Sequence, residues 1–370
     1  MVRTPSENPP GDELAAARLV ADYCRELGLT VASHEPEPNR PSVVARLEGG
    51  PGPVLTYCSH IDVVPAGDPS LWDVQPYGAS LSDGRLHGRG SADAKGPVSA
   101  ALEAVAALTG LGWQPAGTLE LAIVSDEETM GFKGAGALVQ SGVLQPDIAI
   151  VGEPTSLRVV RAQRGACWFR VIVRGVAAHG SAPERGVNAI VHMAEIIRHL
   201  HDTLPGLSHP MLGGPSINVG TIRGGEKTNV VAALCVAEID RRTIPGETEE
   251  SARSGIEEAI SRARQTFPNI DARVELAFQC ESYEVPEASR IVTEVRAAGA
   301  EVLGGRPEII GFRGTSDARY FAETAGRVVV WGPGDIAVAH TAHESIDLTE
   351  LELGAAAYAR AFVRLLSSDD

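Results

Sequence analysis

Apolar positions along the chain fall into short runs that end on glycine, proline or acidic residues, and their period changes along the sequence. Leu14, Ala17, Leu19, Ala21 and Tyr23 predict a helix from about Asp12 to Leu27, stopped at Gly28. A strand from Ser42 to Leu47 and the turn Gly49-Gly50-Pro51-Gly52 lead to a second strand, Val54 to Cys58, which runs straight into Ser59-His60-Ile61-Asp62. A helix of small residues follows from about Gly96 to Leu108. The strand Leu119 to Val124 then ends in Ser125-Asp126-Glu127-Glu128, and Ile148 to Val151 ends in Gly152-Glu153-Pro154. Strands that alternate with helices imply an α/β fold with a mostly parallel sheet, whose ligands bind beyond the carboxyl ends of the strands. His60, Asp62, Glu127, Glu128 and Glu153 all occupy such ends.

From about Arg164 the order becomes strand (Trp168 to Arg174), helix (Asn188 to His201), strand (Ser216 to Ile222), strand (Leu234 to Arg241), helix (Thr248 to Thr266) and strand (Ala272 to Ala277). This βαββαβ order predicts a ferredoxin-like domain inserted at 164–277, with 1–163 and 278–370 forming the main domain. The α/β pattern returns with a helix near Ser289 to Leu303, the segment Gly311 to Asp317 and a strand Val328 to Trp331. Gly332-Pro333-Gly334, then His340, His343 and Glu344, precede a closing helix that starts near Asp347, with Glu350 as its capping signal.

The chain has 370 residues, room for two domains, and 44% hydrophobic with 22% charged residues places it among globular proteins. A net charge of −16 with no basic stripe argues against nucleic acid and anionic membranes as partners. Five cysteines without a C-x-x-C pair indicate neither a disulfide framework nor a thiolate zinc site, and with no apolar leader or spanning run they favour the cytoplasm.

The candidate chemistry gathers around Gly88-Arg89-Gly90-Ser91-Ala92-Asp93-Ala94-Lys95-Gly96. A glycine-rich turn before a helix can cradle an anion through its free N–H groups. Neither phosphate-binding pattern fits, because Asp93 stands where a Gly or Ala is needed and Lys95-Gly96 replaces Gly-Lys-Ser/Thr. A carboxylate placed there favours a cation, while the plain alternative is a capped helix start. His60 and Asp62, two apart on an extended chain, share a face, so Asp62 can hold the imidazole's second nitrogen. Glu127 and Glu128 diverge and take different roles. Imidazole with carboxylates suits zinc and its divalent relatives, and two histidines with three carboxylates would serve two metals bridged by one carboxylate. His340 with His343 would serve a mononuclear site. No G-x-S-x-G elbow is present, and Cys58 reads as a core residue.

Five ordered motifs make the sequence similar to the M20 metallopeptidases and amidohydrolases, the family of acetylornithine deacetylase, succinyl-diaminopimelate desuccinylase, aminoacylase and glutamate carboxypeptidase. They are Ser59-His60-Ile61-Asp62-Val63-Val64-Pro65, Gly88-Arg89-Gly90 with Asp93 and Lys95-Gly96, Asp126-Glu127-Glu128, Gly152-Glu153-Pro154, and Gly332-Pro333-Gly334 with Ala339-His340. The resemblance implies a zinc-peptidase-like catalytic domain with a co-catalytic metal pair, zinc with cobalt as a substitute. Asp93 would bridge, His60 and Glu153 would complete one metal, and Glu128 and His340 the other. Asp62 would orient His60, and Glu127 would be general base and later proton donor. The inserted domain would be a lid and dimerisation domain of a homodimer. Its His179 would reach the partner's active site, and Asn229 and Arg242 would meet the substrate carboxylate, with Thr315 and Ser316 lining the pocket. Ala94 and His343 depart from the usual Met and Asn or Asp. The implied activity is hydrolysis of the amide of an N-acyl amino acid or related small carboxylate, with a metallo-dipeptidase or carboxypeptidase as the enzymatic alternative. A binding protein that keeps the fold without activity is the alternative of another class.

Overall fold

The computed structural model describes residues 1–324 and 327–367, and it divides into two compact units. The first comprises Met1–Arg161, Val285–Ile310 and Ser316–Asp370, the second Ala162–Glu284 and Gly311–Thr315. The sequence places the return boundary at 277/278. The second unit runs on to Glu284, past the strand Asp271–Cys280.

At the centre of the first unit four strands run parallel, in the order Thr118–Val124, Val54–His60, Ile148–Val151 and Val328–Val330. Thr30–His34 and Ser42–Glu48 extend the sheet antiparallel on one side, and Val159–Gln163 does so on the other. Val54–His60 is buried along nearly its whole length, as expected of a strand covered on both faces. Its register with Thr118–Val124 sets His60 opposite Val124, so both chains leave the sheet at the same edge. The helix Leu348–Leu365 packs against both Lys95–Gly110 and Arg290–Leu303. Tyr57, Tyr358 and Trp331 meet edge to face at 5.1 and 5.4 Å, and the Tyr358 hydroxyl donates to the Trp331 carbonyl at 2.6 Å. Leu348–Leu365 begins at Asp347, whose carboxylate accepts the Glu350 N–H at 3.0 Å. The Glu350 carboxylate does not close the cap but accepts the Gly334 N–H at 3.0 Å. A small sheet of Ser80–Ser82, Arg85–His87 and Ser345–Asp347, too short to register as periodic sequence, joins the glycine-rich turn to the C-terminal part of the unit.

The N-terminal residues are built into this unit. Ser6 Oγ donates to the Ile61 carbonyl at 2.6 Å, and the Asn8 N–H donates to the Val63 carbonyl at 2.8 Å. Buried Arg40 holds the Glu13 and Asp126 carboxylates, each at 2.9 Å. Arg40→Met is expected to destabilise the fold by about 3–5 kcal/mol, since it leaves two carboxylates buried without their cation. Denaturant midpoints of the two proteins check this.

The second unit has the βαββαβ order: Gly165–Arg174, Ala189–Leu200, Ser216–Gly224, Leu234–Thr243, Glu249–Thr266 and Asp271–Cys280. Its antiparallel sheet runs second, third, first, fourth strand, the ferredoxin-like order. Both helices pack on one face through Phe169, Val171, Met193, Ile196, Ile239, Ile256 and Ile260. Alternation along Gly165–Arg174 leaves Trp168, Arg170 and Arg174 on the exposed face. Among the described residues, no helix is long and apolar enough to cross a membrane.

Candidate metal centre

Three strand ends and two loops of the first unit bring its chemical groups together. Val54–His60 delivers His60, which is buried. Its Nδ1 lies 2.9 Å from the Asp62 carbonyl oxygen and 3.5 Å from the Asp62 carboxylate. An Nδ1–H donated to that carbonyl leaves the Nε2 lone pair free to bind. Asp62 has more to hold than an imidazole: its carboxylate accepts the N–H groups of Glu127 at 3.2 Å and Glu128 at 3.1 Å, and the Asn8 amide at 2.9 Å.

After Thr118–Val124 the chain turns sharply at Asp126, whose φ of 73° is left-handed, into the short helix Glu127–Thr129. Asp126 faces inward, joined to Arg40, the Thr129 hydroxyl at 2.8 Å and the Lys133 N–H at 2.9 Å. Of the three consecutive acids, one is therefore an anchor, and Glu127 and Glu128 are the two presented.

His60 Nε2 is 3.1 Å from Asp93 Oδ1, 3.8 Å from Glu153 Oε2 and 3.9 Å from Glu127 Oε2. His340 Nε2 is 3.2 Å from Asp93 Oδ2 and 3.1 Å from Glu128 Oε2. The two oxygens of one carboxylate thus face two separate groups, His60–Asp93–Glu153 and Asp93–Glu128–His340. Donor atoms about 2.0–2.2 Å from a tetrahedral cation stand roughly 3.3 Å apart, so these spacings fit a divalent ion in each group. His340 has a left-handed φ of 63°, a conformation that a non-glycine residue adopts at a cost. His343 joins neither group; its Nδ1 is 3.6 Å from exposed Asp73. The mononuclear pairing of His340 with His343 is therefore not built.

The charges in the pocket call for cations. Burial pushes the Glu127 carboxyl well above its usual range, and Glu153, Asp317 and Glu128 add to that against the pull of His60. Burial raises Glu153 to about 7 and raises Glu128 as well. Burial opposes charging His60, but Asp62, Asp93 and Glu153 reverse this and hold it well above its usual value. Asp93 is held below the carboxylate range by His340 and His60, although burial pushes the other way. Two imidazoles cannot balance so many buried carboxylates, which is the electrostatic signature of a site completed by metal.

The remaining expected residues have their own settings. Ser316 is buried, and its Oγ accepts the Ala318 N–H at 3.3 Å, opening the helix Ala318–Thr324. Thr315 belongs to the second unit and is partly buried. On that unit the structure brings His179 and Asn229 together, with the Gly180 N–H donating to the Asn229 carbonyl at 2.8 Å. His179 is exposed, and its Nδ1 lies 2.7 Å from the Ser181 hydroxyl and accepts the Ser181 N–H at 3.1 Å. Arg242 Nε is 2.9 Å from Asp240. Sequence reasoning missed Asn8, which joins Asp62 to the Thr129 hydroxyl at 2.9 Å, and Asp317, a buried carboxylate beneath the turn. Asn8 gave only the signal of a turn, and Asp317 only that of a Gly-rich segment.

A dinuclear arrangement of imidazole and carboxylate on an α/β sheet defines a metallohydrolase. The chain belongs to the peptidase family M20/M25/M40, whose model matches residues 57–364. It is 31% identical over 348 residues to the acetylornithine deacetylase of Photorhabdus laumondii subsp. laumondii, covering 90% of this chain and 85% of that protein. Its fold is similar to that of the aminopeptidase PepT of Bacillus cereus, with a TM-score of 0.82 at 23% identity over 99% of this chain and 96% of that one. It also resembles the YXEP protein of Bacillus subtilis, a dinuclear metal-binding peptidase of the M20 family, with a TM-score of 0.74 at 16% identity over 96% and 92%.

Proposed function

We propose that the protein is a dinuclear zinc hydrolase that cleaves the amide of an N-acyl amino acid or a related small carboxylate, releasing a carboxylic acid and an amine. The observation that carries this reading is Asp93, one buried carboxylate whose two oxygens address His60 and His340 separately. Asp93 would bridge the two ions, His60 and Glu153 would hold one of them, and Glu128 and His340 the other. Zinc, or cobalt in its place, would supply Lewis-acid activation and positive charge opposite the developing oxyanion.

Glu127 takes the proton of the attacking water and returns it to the leaving nitrogen. Asp62 keeps His60 in the tautomer that presents Nε2, and through the Glu127 and Glu128 amides it also fixes the base and one ligand. The second unit is read as lid and dimerisation domain. His179 then donates from Nε2 to the tetrahedral intermediate in a second copy's centre, and Asn229, Arg242, Thr315 and Ser316 receive the substrate. A cytoplasmic homodimer fits this reading.

The deacetylase relative supports acyl amino acids over peptides. The test is a panel of N-acetyl and N-succinyl amino acids against dipeptides, run with zinc and with cobalt. Turnover of acylated amino acids, lost on chelation and restored by zinc, is expected. Exclusive turnover of dipeptides moves the assignment to a dipeptidase or carboxypeptidase, and absence of both turnover and metal binding leaves a binding protein on this fold.

A further inference from the structure

The glycine-rich turn does hold an anion, and the chain itself supplies it. Strand Arg85–His87 runs into Gly88, and Ser345–Asp347, which follows Glu344, pairs with it so that His87 faces Ser345. The Gly88 N–H donates to the Glu344 carbonyl at 3.0 Å. The Glu344 side chain turns inward, and the residue is 1% exposed. Its Oε1 accepts the N–H groups of Ala92 at 3.0 Å and Asp93 at 3.1 Å, while Oε2 lies 2.5 Å from Arg89 Nη1. Arg89 is buried as well, with its guanidinium 5.2 Å from the centre of the Trp72 ring. The amides that would have cradled a phosphate are thus filled by a carboxylate from the segment that carries His340.

We propose that Glu344, braced by Arg89, is a positioning residue that fixes Asp93 relative to His340 and so sets the affinity of the Asp93–Glu128–His340 group for its cation. The inference rests on the dinuclear reading above. The two amides that Glu344 holds flank the Cα of Ala92 and lead directly into Asp93, so the Asp93 backbone enters the pocket already fixed. The other end of the same side chain belongs to a residue four positions past His340. Two ligands from opposite ends of the sequence are thereby locked to one frame, and preorganisation of this kind separates a tight metal site from a loose one. A carboxylate that accepts two amides and an arginine is fully satisfied, so burial does not drive it out.

The test measures zinc binding by competition with a chromophoric chelator, alongside circular dichroism and thermal unfolding of the chelator-stripped proteins. Wild type is expected to take two equivalents. Glu344→Ala is expected to weaken zinc binding by about tenfold or more with unchanged secondary structure, and to shrink the zinc-dependent gain in Tm. Glu344→Gln keeps a neutral oxygen for the amides and is expected to fall between, at roughly threefold. A wild type with fewer than two equivalents defeats the dinuclear reading. A wild type with two equivalents and a folded Glu344→Ala of unchanged affinity defeats this inference alone. Should Glu344→Ala fail to fold, Glu344→Gln and Arg89→Lys decide, and wild-type affinity in both overturns the proposal.

Discussion

Replacing Glu127 by Gln is expected to lower turnover by about a thousandfold while both metal equivalents remain bound. The amide has nearly the shape of the carboxylate, and the Glu127 backbone N–H still donates to Asp62, so the turn keeps its form. What is lost is the ability to accept a proton. The side chain stands 3.9 Å from His60 Nε2 and belongs to neither candidate ligand group, as the proposed base requires. Its carboxyl is pushed upward by burial and by Glu153, Asp317 and Glu128, which raises its basicity, and bound cations would pull it back down. Full activity in Glu127→Gln would remove the base assignment. Loss of metal along with activity would make Glu127 a ligand instead.

Asp93→Ala is expected to abolish paired metal binding, leaving fewer than two equivalents after reconstitution and no measurable turnover. The alternative in which Asp93 only caps a helix makes the opposite forecast, and the geometry separates them. The helix Lys95–Gly110 has Ala94 at its N-cap and no side-chain cap, so removing the Asp93 carboxylate takes no hydrogen bond from the helix end. The stripped variant is expected to keep the helix content of stripped wild type by circular dichroism, while losing the contacts of the buried Asp93 carboxylate with His60 and His340. A metal analysis that returns two ions per chain in folded Asp93→Ala would refute the bridge.

The sequence made legible whatever was local. Strand ends at His60, Glu128 and Glu153 could be read because a buried run followed at once by an acid or a histidine is a short-range pattern, and the βαββαβ order of the second unit follows from period alone. The pairing of His60 with Asp62 was legible as two residues on one face, though the nearer contact is the Asp62 carbonyl and the carboxylate mainly holds the Glu127 and Glu128 amides. Contacts that span the chain left no such mark. Asn8 reaches Asp62 and Glu344 reaches Ala92 across folds of backbone whose closeness depends on sheet order, and no periodicity encodes that. The strands Thr30–His34 and Arg85–His87 were missed because an exposed edge and a three-residue strand give too few alternations to count. Asp126 read as one more acid in a run, because a left-handed φ cannot be seen in a residue type.

The sharing of Asp93 has a thermodynamic consequence. Two positions that draw on one carboxylate are not independent sites, and an ion in the first changes both the charge and the orientation that the second encounters. Linkage then requires reciprocity: whatever factor the first ion imposes on the affinity of the second, the second imposes on the first. A titration of this protein should therefore yield two macroscopic constants that belong to the pair, and substitutions at Glu153 and at His340, on opposite sides of the bridge, should each be felt in both.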